Sequence, residues 1–386
     1  MYTDVLIIGA SVAGLATAAA LQKQGINYTI IEKESRVGEP WHNHYHRLHL
    51  HTSKRFSHLP YKKFPAAVPR YPSRQQVIDY LEAYKKTFDI NPIFNTEALS
   101  ISREDPSIDT EAITRESGQW LTLTNNGPIH STYLIMATGP YTKPRPIDLR
   151  GQETFPGAIL HSSQYTTGDR FKGQTVLIIG FGNSACEIAI DVYEQGAIPI
   201  MSVRSPVNIV PRDVLGIPVL ELSYLLSPLP PRLADILSSP LTKTLIGNIN
   251  KLGLKRKPYG PLEQLSRDGR PPVLDIGTIK HLRQGHITIR GGIDHLEGGK
   301  VVFKGGPAES VDAIIAAIGY DRDCDNILHV DPARFADLKN PITKQKYSGV
   351  DNLYFCGYWI SPTGQLRTIA SDALHIAKQI AHQSKP

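Results

Sequence analysis

Two short glycine-rich turns carry most of the chemistry legible in this chain. The first reads Gly9-Ala10-Ser11-Val12-Ala13-Gly14 and the second Gly180-Phe181-Gly182-Asn183-Ser184-Ala185. Each follows a short apolar run, residues 5–8 or 176–179, and opens a stretch with helical spacing. A strand that turns through glycines into a helix offers backbone N–H groups and the positive end of a helix dipole, a ready seat for a pyrophosphate. The end of the next strand separates the two turns. Residues 28–31 run into Glu32 and Lys33, and an acid there can accept hydrogen bonds from a ribose. Residues 198–203 run into Arg204 and Ser205, which suit a 2′-phosphate that an acid would repel. The second turn therefore reads as an NADPH site built from Gly180, Gly182, Asn183, Ser184, Ala185, Arg204 and Ser205. The first reads as a dinucleotide site built from Gly9, Ser11, Ala13, Gly14, Glu32 and Lys33. Ser11 replaces the usual second glycine, but it is small and its hydroxyl can itself donate to a phosphate oxygen.

Other residues could line such sites. The stretch from Trp41 to His51 is rich in histidine, but no Cys or acid joins the alternating His42, His44 and His46, so it reads as a loop rather than a metal centre. In that loop Arg47 is expected near phosphates, with Trp41 and His51 beside it. Small-residue turns at Thr138-Gly139 and at Gly357 follow apolar runs and can pass close to a bound ring. Between the two glycine turns lies Phe-Pro-Gly-Ala-Ile-Leu-His-Ser-Ser-Gln-Tyr, residues 155–165. Its place suggests a hinge, with His161 and Tyr165 positioning the second cofactor rather than acting as acid or base. No convincing Ser/His/Asp set or carboxylate pair is present, so the reactive chemistry is expected to reside in cofactors.

These residues need two nucleotide-binding frames. With 386 residues, 41% hydrophobic and 20% charged, the chain is long enough for two domains. The expected class is α/β, with two Rossmann-like domains and the second inserted in the first. Residues 1–150 and 318–386 form one, and residues 151–317 the other, with an irregular Leu/Pro/Ser-rich insert at about 213–258 that could cover a cleft, make a subunit contact or wall a hydrophobic pocket. The net charge of +6 is scattered and forms no nucleic-acid arm. Cys186, Cys324 and Cys356 stand far apart and make no CxxC pair, which argues against a disulfide reductase. The first strand starts almost at Met1 and no apolar run approaches about 18 residues, so a cytoplasmic protein without a membrane span is expected. A homo-oligomer is compatible with all of this.

Phe155, Gly157, His161 and Tyr165 fit FxGxxxHxxxY, and that pattern between two glycine turns resembles the flavin-containing monooxygenases. The block 203–212 (Val-Arg-Ser-Pro-Val-Asn-Ile-Val-Pro-Arg), the segments 260–262, 272–278 and 289–293, and Tyr45-His46-Arg47-Leu48-His49-Leu50-His51 are similar to the plant YUCCA enzymes. The likeness spans nearly the whole chain. Ser11 and Ile318 depart from the family's turns, and His51 stands where other branches carry an active-site asparagine. The resemblance implies FAD at the first turn and NADPH at the second, with O2 activated by C4a-hydroperoxyflavin chemistry. It implies an aromatic 2-oxo acid substrate such as indole-3-pyruvate, decarboxylated to indole-3-acetate, an auxin-type product. Lys54, His51 or Arg212 are candidate contacts to the substrate or flavin side. The alternatives are an amine- or sulfide-oxygenating flavin enzyme and a redox-inert dinucleotide sensor.

Overall fold

The computed structural model describes residues 1–103, 120–226, 228–321, 324–329 and 352–384. The chain divides into two compact units. The first comprises Met1–His42, Thr52–Lys143 and Asp321–Pro386; the second comprises Asn43–His51 and Pro144–Tyr320. The segment 43–51, expected beside the first turn, thus belongs with the second unit.

The first unit is built on a sheet in which Tyr2–Ile8 lies one strand in from the edge. It pairs in parallel with Thr29–Ile31 on one side and Gly127–Met136 on the other, Ile8 lying opposite Ile31 and Met136. The sequence suggests a strand only from residue 133, where every side chain is apolar. The strand starts six residues earlier because residues 127–132 alternate, with Ile129 and Ser131 inward and His130 and Thr132 half-exposed. Its first half pairs antiparallel with Trp120–Thr124, which pairs in turn with Ala98–Arg103. Its second half, buried on both faces, pairs in parallel with Leu353–Phe355. The helix Val12–Lys23 is alanine-rich and buried along most of its length, so it packs closely against the closing helix Gln365–Gln383. At their contact, a Cβ on Gly357 would come 2.9 Å from Ile369 and 3.4 Å from Ala13.

The second unit carries a five-stranded parallel sheet in the order Thr288–Arg290, Ile198–Ser202, Thr175–Ile179, Ala313–Ala316, Ala158–His161. Val176, Leu177 and Ile178 are wholly buried in its middle, and each such side chain contributes about 1.5–3 kcal/mol. The stretch expected to be a hinge is instead the edge strand of this sheet. Gly157 is needed there for close approach, since a Cβ would lie 2.0 Å from the Asp312 carbonyl oxygen. The insert resolves into a short hairpin, Asp213–Val214 with Ile217–Pro218, and the helices Val219–Leu226 and Pro231–Ile246. Pro231 sits in the first turn of the longer helix, where no N–H is required. Cys186 and Cys356 are buried free thiols, and burial raises both thiol pKa values; the side chain of Cys324 lies outside the described residues.

Candidate dinucleotide sites and an acidic helix face

In the first unit the turn after Tyr2–Ile8 is held by its own backbone. Gly9 has φ +103°, and a Cβ on Gly14 would sit 1.9 Å from the Gly9 carbonyl oxygen, so both glycines are demanded by the fold itself. Ser11 is the N-cap of the helix, with extended backbone angles and no side-chain capping bond, and the first turn holds no acid. The helix therefore presents its N-terminal amides, including that of Ala13, without a capping side chain. Glu32 is buried and accepts the Ala10 amide at 2.7 Å, tying the acid to the turn; its other oxygen takes the Glu34 amide at 3.1 Å. Lys33 is exposed and lies 3.9 Å from Glu34. Thr138 bonds the Tyr358 hydroxyl, Gly139 has φ +80° with open space where a Cβ would be, and Trp41 is half-buried in the short helix Glu39–His42.

The second turn divides its glycines differently. Gly180 has φ +117° and a Cβ there would meet the Ala317 carbonyl at 2.7 Å. Gly182 has neither constraint: its φ is −96°, and nothing lies within 4 Å of an added Cβ. The fold does not need glycine at 182, which fits a backbone kept bare for close approach by a ligand. Gly182 caps the helix Asn183–Glu194 without a side-chain bond, so amides of Asn183, Ser184 and Ala185 face out of an acid-free first turn. The Asn183 side-chain oxygen is occupied, accepting the Leu274 amide at 2.9 Å. Arg204 and Ser205 are exposed just beyond the strand Ile198–Ser202, and Gly292 leaves room against Arg204. Both turns thus fit a dinucleotide, and the second adds an exposed cation and a hydroxyl just beyond the next strand.

Along the helix Asn183–Glu194, Glu187, Asp191 and Glu194 recur at i, i+4 and i+7 and share one face. Glu187, 1% exposed, meets the ring of His51. Asp191 accepts the Tyr165 hydroxyl and, at 3.1 Å, the Gly168 amide. Glu194 takes a bidentate pair from Arg47 at 2.9 and 3.1 Å, and that pair holds its carboxyl below the usual range. Tyr45, buried between His44 and Tyr165, has its phenol pushed up by burial and then by nearby Glu187. This acidic face holds the segments 43–51 and 165–168 on the second unit.

Several sequence expectations change as a result. Arg47, expected near phosphates, pairs with Glu194 within the second unit. His51 serves Glu187. Tyr165 is 1% exposed, and burial followed by the Asp191 bond drives its phenol far up, so it anchors rather than touches a cofactor. His161 is buried; its Nε2 donates to the Gly319 carbonyl at 3.0 Å and its Nδ1 accepts the Ser163 amide at 3.1 Å. Burial lowers its pKa, so the neutral ring positions Gly319 and has no nitrogen left for acid–base work. Lys54 gives its ammonium to the Ala66 and Val68 carbonyls, and Arg212 donates through Nε to Asp213 at 3.1 Å. The acidic face was missed, although its signal stood in the sequence: acids spaced four and three apart on a helix, with unmatched Arg, His and Tyr elsewhere.

Residues 6–213 match the family model described as pyridine nucleotide-disulphide oxidoreductase. The chain is 36% identical over 394 residues to the probable indole-3-pyruvate monooxygenase YUCCA3 of Arabidopsis thaliana, covering 98% of this chain and 87% of that protein. It is 34% identical to the indole-3-pyruvate monooxygenase YUCCA1 of Oryza sativa subsp. japonica, covering 97% and 90%. In fold it is similar to a flavin-containing monooxygenase from Stenotrophomonas maltophilia, with a TM-score of 0.69 at 19% identity, covering 100% and 99%.

Proposed function

Since the chain belongs to the flavin monooxygenase family that includes the YUCCA enzymes, we propose that it oxidatively decarboxylates indole-3-pyruvate or a similar aromatic 2-oxo acid. One O2 and one NADPH are consumed with a proton. The acid one carbon shorter, CO2, water and NADP⁺ are formed, and from indole-3-pyruvate that acid is indole-3-acetate. FAD belongs to the first unit and NADPH to the second. Bound FAD supplies the two-electron relay between NADPH and O2.

The chain's own residues bind and orient. The uncapped amides after Ser11 and after Gly182 receive the two pyrophosphates, and Glu32 takes a ribose hydroxyl. Arg204 and Ser205 bind the 2′-phosphate. The observation that carries the two-cofactor reading is the pair of uncapped glycine turns ending in opposite chemistry, Glu32 in one and Arg204 in the other. The choice of a 2-oxo acid rests on the names borne by the relatives. A reducing cytoplasm suits the two buried free thiols.

The test is product analysis with NADPH and a panel of 2-oxo acids, amines and sulfides. Indole-3-pyruvate or phenylpyruvate yields the shortened acid with stoichiometric CO2. Turnover of amines or sulfides, with only peroxide formed from 2-oxo acids, refutes the substrate assignment.

A further inference from the structure

The exposed arginine just beyond the strand Ile198–Ser202 is seated against the neighbouring strand. Thr288–Arg290 pairs with Ile198–Ser202 in parallel, with Arg290 opposite Ser202, and hydrogen bonds continue past that point. The Val203 amide donates to the Arg290 carbonyl at 2.8 Å. The buried Ser202 hydroxyl donates to the Gly291 carbonyl at 2.9 Å. The two arginines at these strand ends differ. Arg290 is ion-paired with Glu309 and donates to the Ile289 carbonyl at 3.0 Å. Arg204 is exposed and makes no ion pair among the described residues.

After Arg290 the chain reads Gly291-Gly292 before entering the strand Ile293–Glu297. Neither glycine has φ in the left-handed region, so backbone conformation demands neither. Their surroundings tell them apart. A Cβ on Gly291 would have only the Lys304 carbonyl oxygen within 4 Å, at 3.7 Å, an ordinary contact. A Cβ on Gly292 would lie 3.2 Å from the Arg204 Cβ and 3.8 Å from its Cα. Gly292 is itself fixed, since its carbonyl accepts the Lys304 amide at 2.8 Å and Ile293 pairs with Phe303. A side chain at 292 therefore pushes the root of Arg204 by a few tenths of an ångström.

We propose that Gly292, together with the Ser202 bond to Gly291, sets the position of Arg204 and so the selectivity for NADPH over NADH. Both are positioning residues, acting on the ligand through Arg204. A planar guanidinium grips a phosphate through paired N–H bonds, and such a grip tolerates displacements of only about 0.5 Å. The inference rests on the reading of Arg204 as the 2′-phosphate contact.

The experiment follows anaerobic flavin reduction of the holoenzyme by NADPH and by NADH. Gly292→Ala lowers the preference for NADPH about three- to tenfold, part of the roughly 10- to 100-fold expected for Arg204→Gln, while FAD content and reduction by NADH stay at the parent values. Gly291→Ala keeps the parent preference. Ser202→Ala removes the bond to Gly291 without adding bulk and lowers the preference in the same direction; it decides the matter if Gly292→Ala does not fold. A parent-like preference in folded Gly292→Ala, with Arg204→Gln still lowering it, overturns the inference. Equal losses with both nucleotides also overturn it, because a general disturbance of the sheet produces them. An unchanged preference in Arg204→Gln refutes the reading of Arg204 itself, and the inference with it.

Discussion

Gly182→Ala separates what the fold needs from what the ligand needs. The residue has φ −96° and open space around an added Cβ, so alanine enters without backbone strain. Alanine is a poorer N-cap than glycine, while the unfolded chain loses freedom worth about 0.4–1 kcal/mol; these nearly cancel, leaving stability within about 1 kcal/mol of the parent. Binding has no such compensation. The methyl occupies the space that close approach of the pyrophosphate requires, and losing one N–H bond to a charged oxygen costs about 1.5–3 kcal/mol. That corresponds to roughly a 10- to 100-fold rise in the NADPH concentration that half-saturates anaerobic flavin bleaching, followed by stopped-flow absorbance. Flavin content and the denaturation midpoint stay near the parent values. Gly180→Ala is the contrast, because φ +117° and the Ala317 carbonyl at 2.7 Å make it lose stability as well. Unchanged NADPH dependence in a folded Gly182→Ala protein would refute the assignment of the second turn.

Tyr165→Phe leaves buried Asp191 with the Gly168 amide as its remaining partner here, and a loss of about 2 kcal/mol is expected in urea unfolding; a change near zero would mean Asp191 is satisfied in some other way. Because burial lowers the pKa of His161, its contribution to stability is complete above about pH 6.5 and is lost as pH falls from there toward the folded-state value. His161→Gln removes that share, so its denaturation midpoint falls less between about pH 7.5 and about pH 5 than the parent's; equal falls contradict the neutral buried ring. Arg204→Gln lowers the preference for NADPH over NADH by about 10- to 100-fold in kcat/KM, and an unchanged ratio removes the 2′-phosphate role.

The two βαβ frames were legible because they depend on local signals. An apolar run, a glycine turn and a helical period occupy about 20 consecutive residues in each, and the helices found, Val12–Lys23 and Asn183–Glu194, begin within the turns, at the fourth residue of each. Residues 127–132 were harder, since an alternating half-buried strand resembles a polar loop until its partner is known. The partners of Arg47, His51, Lys54 and Tyr165 were not legible for a related reason. Type and spacing identify a charge or a phenol, but not the distant group that claims it. Arg47 finds Glu194 across 147 residues, and no local period encodes that. Gly182 shows the reverse case: the sequence names the glycine, and only the surrounding empty space reveals that the fold could have done without it.

The acidic face of helix Asn183–Glu194 has a consequence for how the chain is made. Its partners Arg47 and His51 precede it by 147 and 136 residues. During synthesis the segment Asn43–His51 leaves the ribosome first and waits for the helix that will hold it, roughly 7–30 s at 5–20 residues per second. A fragment starting at Pro144 would never receive that segment, leaving Glu187 facing an empty position in the interior. The second unit is therefore unlike an insert that can be cut out at its sequence boundaries: its last piece is supplied from near the N-terminus.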